Sequence, residues 1–208
     1  MIWHSLVTRL RRRVIRLWTK VRACLHRPWH QGGRTALVTS GNIAPGVLEG
    51  VITGLAPDWR LDEPASGTVV VPGVTLFHDA SGGNFVVQRR ERDLAFTIYQ
   101  FPGTYMSVAV DVPLPLRARL RPGWRFTVGL AAEASRSTTT FVRLNLSDRH
   151  NKKVLHEVVV VDAGERGAVF DLDGVGSDWT AAWVDLIFSH PRMSEIRVSG
   201  LRLGFEEQ

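Results

Sequence analysis

The sequence predicts an all-β domain carried behind a basic, amphipathic N-terminal α-helix. Three observations lead to that class. From Thr35 onward, short runs rich in Val, Thr, Phe and Ile alternate with Gly, Pro, Asp and Ser, as strands alternate with turns. No stretch between those runs has the length and period of a crossover helix, which argues against a parallel α/β sheet. Residues 1–30 instead repeat their apolar side chains at helical spacing and contain no acid. The expected partition is a helix over 1–30, a linker over 31–34 and a β domain over 35–208.

Charge separates the two parts as sharply as pattern does. Residues 1–40 hold nine Lys/Arg and no Asp or Glu. Residues 41–208 hold the other 17 bases and all 20 acids, a net charge of −3. The formal charge of +6 and the pI near 10.4 therefore belong to the N-terminal segment. An anionic partner would have to be met there.

In the helix, Trp3, Leu6, Val7, Leu10, Val14, Leu17, Trp18, Val21, Cys24 and Leu25 share one arc about 120° wide. Arg9, Arg12, Arg16, Lys20 and Arg27 lie opposite, with Arg11, Arg13 and Arg22 at the edges. Pro28 stops the pattern, and Gln31-Gly32-Gly33 reads as a linker. Trp and Leu on one side with Arg on the other suit a helix lying in an anionic membrane surface. The candidate contact residues are Trp3, Leu10, Arg11, Arg12, Arg13, Arg16, Trp18, Lys20 and Arg22. An acidic partner protein engaging residues 1–28 is the alternative. A homomeric coiled coil is disfavoured, because basic flanks would face basic flanks without an acid to pair. Nucleic acid has little use for the broad Trp/Leu face. A helix packed on its own domain, its basic side merely solvated, is the plainest reading. An organelle transit peptide would share the Arg-rich, acid-free look.

Cys24 is the single cysteine, so no disulfide framework or cysteine-only zinc site can form within the chain. No stretch approaches the roughly 18 apolar residues of a spanning helix, and arginines interrupt any secretory apolar region. A cytoplasmic protein is expected, peripheral on the inner face of the membrane.

Candidate strands are 35–40, 46–53, 68–71, 74–78, 84–89, 94–101, 105–112, 124–133, 138–147, 153–162, 167–171, 181–189 and 194–205. That number in about 170 residues implies two packed antiparallel sheets or a barrel. Alternation assigns faces. Phe126, Val128, Leu130 and Ala132 form one side of their strand, as do Val142, Leu144 and Leu146. Met106, Val108 and Val110 do the same, and so do Val184, Leu186 and Phe188. Those sides are core. The opposite sides mix aromatics with Arg, Asn and Asp.

The run from "YMSVAVDVPLP" through "LRPGWRFTVGLAAEASRSTTTFVRLNLS" to "WVDLIFSHPRMSEIRVSGLRLGF" resembles the jelly-roll sandwiches of carbohydrate-binding modules. It is also similar to an uncharacterised alphaproteobacterial domain family of that architecture. The likeness spans about residues 40–205 and is one of pattern: a "W-x-D-L-I-F" strand, then "I-x-V-x-x-L-x-L". It implies an all-β, antiparallel two-sheet jelly-roll sandwich, and a sheet face on which sugars stack. No family binding residue transfers, and fold likeness alone does not assign function.

Together the opposite sides of these strands form one mixed face that supplies the candidate ligand residues: Tyr99, Tyr105, Arg125, Phe141, Arg143, Asn145, Trp183 and Asp185. A polysaccharide site needs flat rings for the sugar's apolar face and polar side chains for its hydroxyls. An ordinary solvated sheet face is the plain alternative. "DLDGVGSD" gathers Asp171, Asp173 and Asp178, but lacks the further ligands of a calcium loop and reads as a turn. His150 and His156 have no third ligand near them in sequence. His78-Asp79 has no marked nucleophilic serine, and no Gly-rich phosphate loop is present. The sequence thus predicts a non-enzymatic binding or scaffolding module without cofactor or metal. An interaction subunit docking through its helix is the alternative, and a glycan-active enzyme the third.

Overall fold

The computed structural model describes residues 59–90, 93–148, 152–161, 164–191 and 194–207. The helix expected over 1–30 with its contact residues, the linker 31–34 and the strands expected over 35–40 and 46–53 lie outside the described residues.

The described chain runs β1 (Arg60–Asp62), β2 (Thr68–Val71), β3 (Val74–His78), β4 (Asn84–Arg90), β5 (Asp93–Gln100) and β6 (Tyr105–Asp111). One helical turn, α1 (Leu114–Arg117), precedes β7 (Trp124–Ala134), β8 (Thr138–Ser147), β9 (Lys152–Val161), β10 (Glu165–Asp171), β11 (Ala181–Ser189) and β12 (Ser194–Glu207). Among the described residues twelve strands form two six-stranded sheets, every pairing antiparallel. Sheet I has the order β1-β4-β5-β12-β7-β10, and sheet II the order β2-β3-β6-β11-β8-β9.

Both sheets turn their apolar alternates into one core. Phe126, Val128, Leu130 and Ala132 of β7 are buried, as are Val142, Leu144 and Leu146 of β8. Met106, Val108 and Val110 of β6 join Val184, Leu186 and Phe188 of β11 in the same cluster. Each such side chain contributes roughly 1.5–3 kcal/mol by leaving water. Every face assigned as core by alternation is core. No helix among the described residues is long and apolar enough to cross a membrane.

Two local devices place the strands that matter. The β2–β3 hairpin turns on Pro72-Gly73, where proline presets φ and Gly73 takes φ +78°. In β12 the alternation slips once. Ile196 and Val198 point inward, then Leu201 and Leu203, an odd offset that would send one set to solvent. The register shifts at this point: Val198 faces Ala132 and Gly200 faces Ala131, so Ser199 is the extra residue of a β-bulge. The double x of "I-x-V-x-x-L-x-L" is that bulge.

Two elements carry no signal in the sequence. β1 has three residues, too few to show alternation, and pairs with Gln88, Val87 and Val86 of β4. α1 is a single turn with proline in its first turn, shorter than one helical period of pattern.

Candidate functional site

The register of sheet II brings six of the eight candidate residues onto one outward face. Trp183 lies between Asp111 and Asn145, and Asp185 between Ala109 and Arg143. Ile187 lies between Ser107 and Phe141, and Ser189 opposite Tyr105. Tyr105, Phe141, Arg143, Asn145, Trp183 and Asp185 therefore share the side opposite the core. Tyr99 and Arg125 do not. They belong to β5 and β7 of sheet I, on the far side of the sandwich, and the face expected from all eight is corrected to six. Alternation says which side of its own strand a residue occupies, not which sheet the strand joins.

At the centre of this face sits a desolvated carboxylate. Asp185 is 3% exposed. Its Oδ2 accepts hydrogen bonds from Arg143 Nε at 2.9 Å, Arg143 Nη2 at 2.5 Å and Asn145 Nδ2 at 3.0 Å. The Trp183 side chain also bonds to it. Burial pushes the Asp185 carboxyl above the usual carboxylate range, opposed by the Arg143 charge and by these hydrogen bonds. A pair this buried is held by geometry rather than by net electrostatic gain. Its consequence is order: the network fixes the Trp183 indole and the Arg143 guanidinium in place. Asn145 turns its amide nitrogen to Asp185, so its oxygen is the acceptor it has left to present.

Tyr105 stands at one end of the face, set by the loop before β6. Asp79 accepts from the backbone N–H of Thr104 at 2.8 Å and of Tyr105 at 3.2 Å, and from the Thr104 hydroxyl at 2.5 Å. Burial first, and the Asp79 charge second, raise the Tyr105 phenol above its ordinary range. His78 serves a different contact, its Nε2 lying 2.9 Å from the Pro64 carbonyl oxygen. The adjacent pair His78-Asp79 is thus divided between two structural tasks.

Register adds residues that the sequence did not single out: Phe77, Ser107, Ala109 and Ile187 line the same face. Ser107 is fully buried, and its hydroxyl has no hydrogen-bond partner among the described residues. Val69 and Val154, both exposed, stand at opposite edges of the face. The only advance signal for any of these was period-2 placement, which many strands share.

The acidic loop after β10 is tied by hydrogen bonds within itself and to Gly123 and Lys153. Asp171 Oδ1 accepts from the Asp173 backbone N–H at 2.8 Å, Asp173 Oδ1 from that of Gly123 at 3.3 Å, and Lys153 Nζ donates to the Gly174 carbonyl at 2.7 Å. Among the described residues no group of three His, Cys, Asp or Glu is placed to hold a metal ion.

No curated protein matches the sequence. Among solved structures, the chain is similar to the CBM22-1 xylan-binding domain from Paenibacillus barcinonensis Xyn10C, at 9% identity and a TM-score of 0.44, over 83% of this chain and 99% of that one. A CBM4 structure shows 14% identity and a TM-score of 0.39, over 64% of this chain and 87% of that one. The enzymatically active domain of tailspike protein 4 from bacteriophage CBA120 shows 11% identity and a TM-score of 0.40, over 72% of this chain. The chain spans only 19% of that tailspike's length. None of these likenesses assigns a ligand or a residue to this chain. Residues 51–205 match the model of DUF6478, a family of unknown function, and the chain belongs to that family.

Proposed function

We propose that this protein is a binding module that takes a saccharide on the outward face of sheet II. The observation that carries the reading is the convergence of Tyr105, Phe141 and Trp183 with Arg143, Asn145 and Asp185. Rings offer apolar contact to a sugar's C–H face, and fixed polar groups meet its hydroxyls. Nothing in this arrangement requires a bond to be broken, so the reading is of binding rather than catalysis. A glycan array probed with the full chain tests it. Binding should fall with Trp183→Leu and Phe141→Leu while the melting transition persists, and an array without a single bound glycan would sink the idea.

The second half of the reading concerns attachment. Residues 1–28 would hold the protein to an anionic surface on the cytoplasmic side of a membrane, carried by the acid-free charge of that segment. The full chain should sediment with vesicles containing phosphatidylserine. Replacing Arg11, Arg12 and Arg13 by Gln should remove the preference over phosphatidylcholine. An acidic protein captured through residues 1–28, with vesicles ignored, would make the segment a docking element instead.

A protein ligand for the face itself is the second reading, favoured by exposed Val69 and Val154 at its two edges. Substituting both with Thr should leave saccharide binding intact if sugars are the ligand. A protein ligand would be lost.

A further inference from the structure

The connection from β6 to β7, residues 112–123, is built unlike the other turns of the sandwich. Turns 79–83, 135–137 and 173–178 are drawn mostly from Asp, Ser and Gly, as solvent-facing turns commonly are. In 112–123 the exposed side chains are only apolar or arginine: Leu114, Pro115, Ala118 and Pro122 with Arg119 and Arg121. Leu114 is 71% exposed, the most open large apolar side chain among the described residues. Residues 112–132 hold four arginines and no acid.

This connection is tied down from beneath. Leu116 packs against the core and Leu120 lies within it. The Val112 N–H donates to the Ala182 carbonyl at 2.9 Å, and the Arg117 guanidinium donates to the Thr180 carbonyl. Bonds from the Leu116 and Arg117 N–H groups to Pro113, and from Ala118 to Leu114, close the turn of α1. Leu116 and Leu120, four apart, occupy its inner side, and Leu114 and Ala118, also four apart, its outer side. The apolar tip is thus held in place before any contact is made, which lowers the entropy lost on binding.

The cations divide in the same way. Arg117 is engaged by the Thr180 carbonyl and by the charge of Asp111. Asp173, in the adjoining loop, accepts from the Gly123 backbone N–H at 3.3 Å. Neither Arg119 nor Arg121 has an ion-pair partner among the described residues. Unpaired guanidiniums beside an exposed leucine fit a partner that sets anionic groups over an apolar layer. Nucleic acid offers the phosphates but nothing for Leu114. A phospholipid bilayer offers both, in that order of depth.

We infer that residues 112–123 form a contact site for an anionic bilayer, with Leu114 and Pro115 entering the headgroup boundary and Arg119 and Arg121 meeting lipid phosphates. The site lies on the β-sandwich and is additional to the attachment proposed for residues 1–28.

The test uses the full chain with Cys24→Ala and one new cysteine that carries an environment-sensitive NBD fluorophore. At Leu114→Cys the emission should brighten and shift to the blue on vesicles of phosphatidylserine and phosphatidylcholine in equal parts, and stay unchanged on phosphatidylcholine alone. At Tyr99→Cys, an exposed position at the end of β5, it should stay unchanged on both. In the unlabelled chain, Arg119→Gln and Arg121→Gln should each weaken vesicle sedimentation about fivefold, an effect that fades as salt rises. Leu114→Ser should weaken it about tenfold at any salt. All three side chains are exposed, so the urea transition should not move. A chain that sediments while its Leu114→Cys label stays in water overturns the inference and leaves attachment through residues 1–28 standing. So does an equal response of the two labels, or a response to RNA with none to vesicles. Failure to sediment with any vesicle removes both.

Discussion

The two outward faces of this sandwich use the same residue types to opposite effect. On sheet I, Glu195 accepts from Arg90 at 3.2 Å and Arg197 at 3.0 Å, and Arg202 meets Glu165 at 3.2 Å. These are long side chains in water, where pairing contributes little and salt screens it. On sheet II, Arg143 and Asp185 pair at 2.5 Å with side-chain exposures of 13% and 4%. A charge taken that far from water is costly unless its partners are fixed, so the surroundings of Asp185 must be built. The difference teaches that an Arg and an Asp in alternating strands say nothing by themselves. What matters is whether the fold takes them out of water.

The harshest way to break the comparison is to exchange the faces of one strand. Inserting one alanine between Gly200 and Leu201 adds a residue beyond the one that the bulge absorbs and shifts every later residue by one position against β7. Leu201, Leu203 and Phe205 would turn to the outside of sheet I, and Arg202 with Glu206 would turn into the core. The insertion variant should lose its cooperative transition in a urea melt. Deleting Ser199 instead removes the extra residue and leaves Val198 and Leu201 both inward, opposite Ala132 and Leu130, so that variant should still melt cooperatively. A cooperative insertion variant would mean that β12 absorbs a second extra residue at the bulge.

How much of this was legible beforehand depended on what each feature needs. Strand positions and core faces follow from period-2 alternation, a local property, and β3, β8 and β11 were placed to the residue at both ends. β1 and α1 were invisible because each is shorter than the pattern that would reveal it. The candidate residues were legible by type, but the sheet to which each belongs was not. Tyr99 and Arg125 alternate just as Tyr105 and Arg143 do, but strand order puts β5 and β7 in the other sheet. Strand order comes from long-range pairing such as Asp185 with Ala109 and Arg143, which no window of sequence contains.

The next test leaves both faces where they are and removes the partner of the buried charge. Arg143→Met should destabilise the fold by about 3 kcal/mol, since it strands a buried carboxylate. The loss should depend on pH. Burial already raises Asp185 in the folded state, and losing the Arg143 charge raises it further. The folded protein then binds a proton more tightly than the unfolded chain does, so stability falls as pH rises from the unfolded carboxylate value through the folded one. Urea melts at pH 5 and pH 8 should show the larger deficit at pH 8. A deficit independent of pH would mean that the Asp185 charge is not what Arg143 restrains.

The smallest expected effects lie on sheet I, and they sharpen the contrast by being small. Arg202→Gln breaks a pair whose partners are 42% and 50% exposed, so it should cost no more than about 0.5 kcal/mol, and nothing measurable in 1 M salt. Tyr99→Ala removes a ring that is 55% exposed, and Arg125→Ala a side chain whose backbone register lies between Asp171 and Glu206. Both should stay within about 0.5 kcal/mol in stability, as surface substitutions usually do. Neither should change saccharide affinity, because neither residue is on the face of sheet II. Their value is as a control on location: they are the same residue types as Tyr105 and Arg143, on strands of similar pattern. If Tyr99→Ala lowered glycan binding as much as Trp183→Leu, residue type alone would be deciding the outcome. The ligand face would then have to be moved to sheet I.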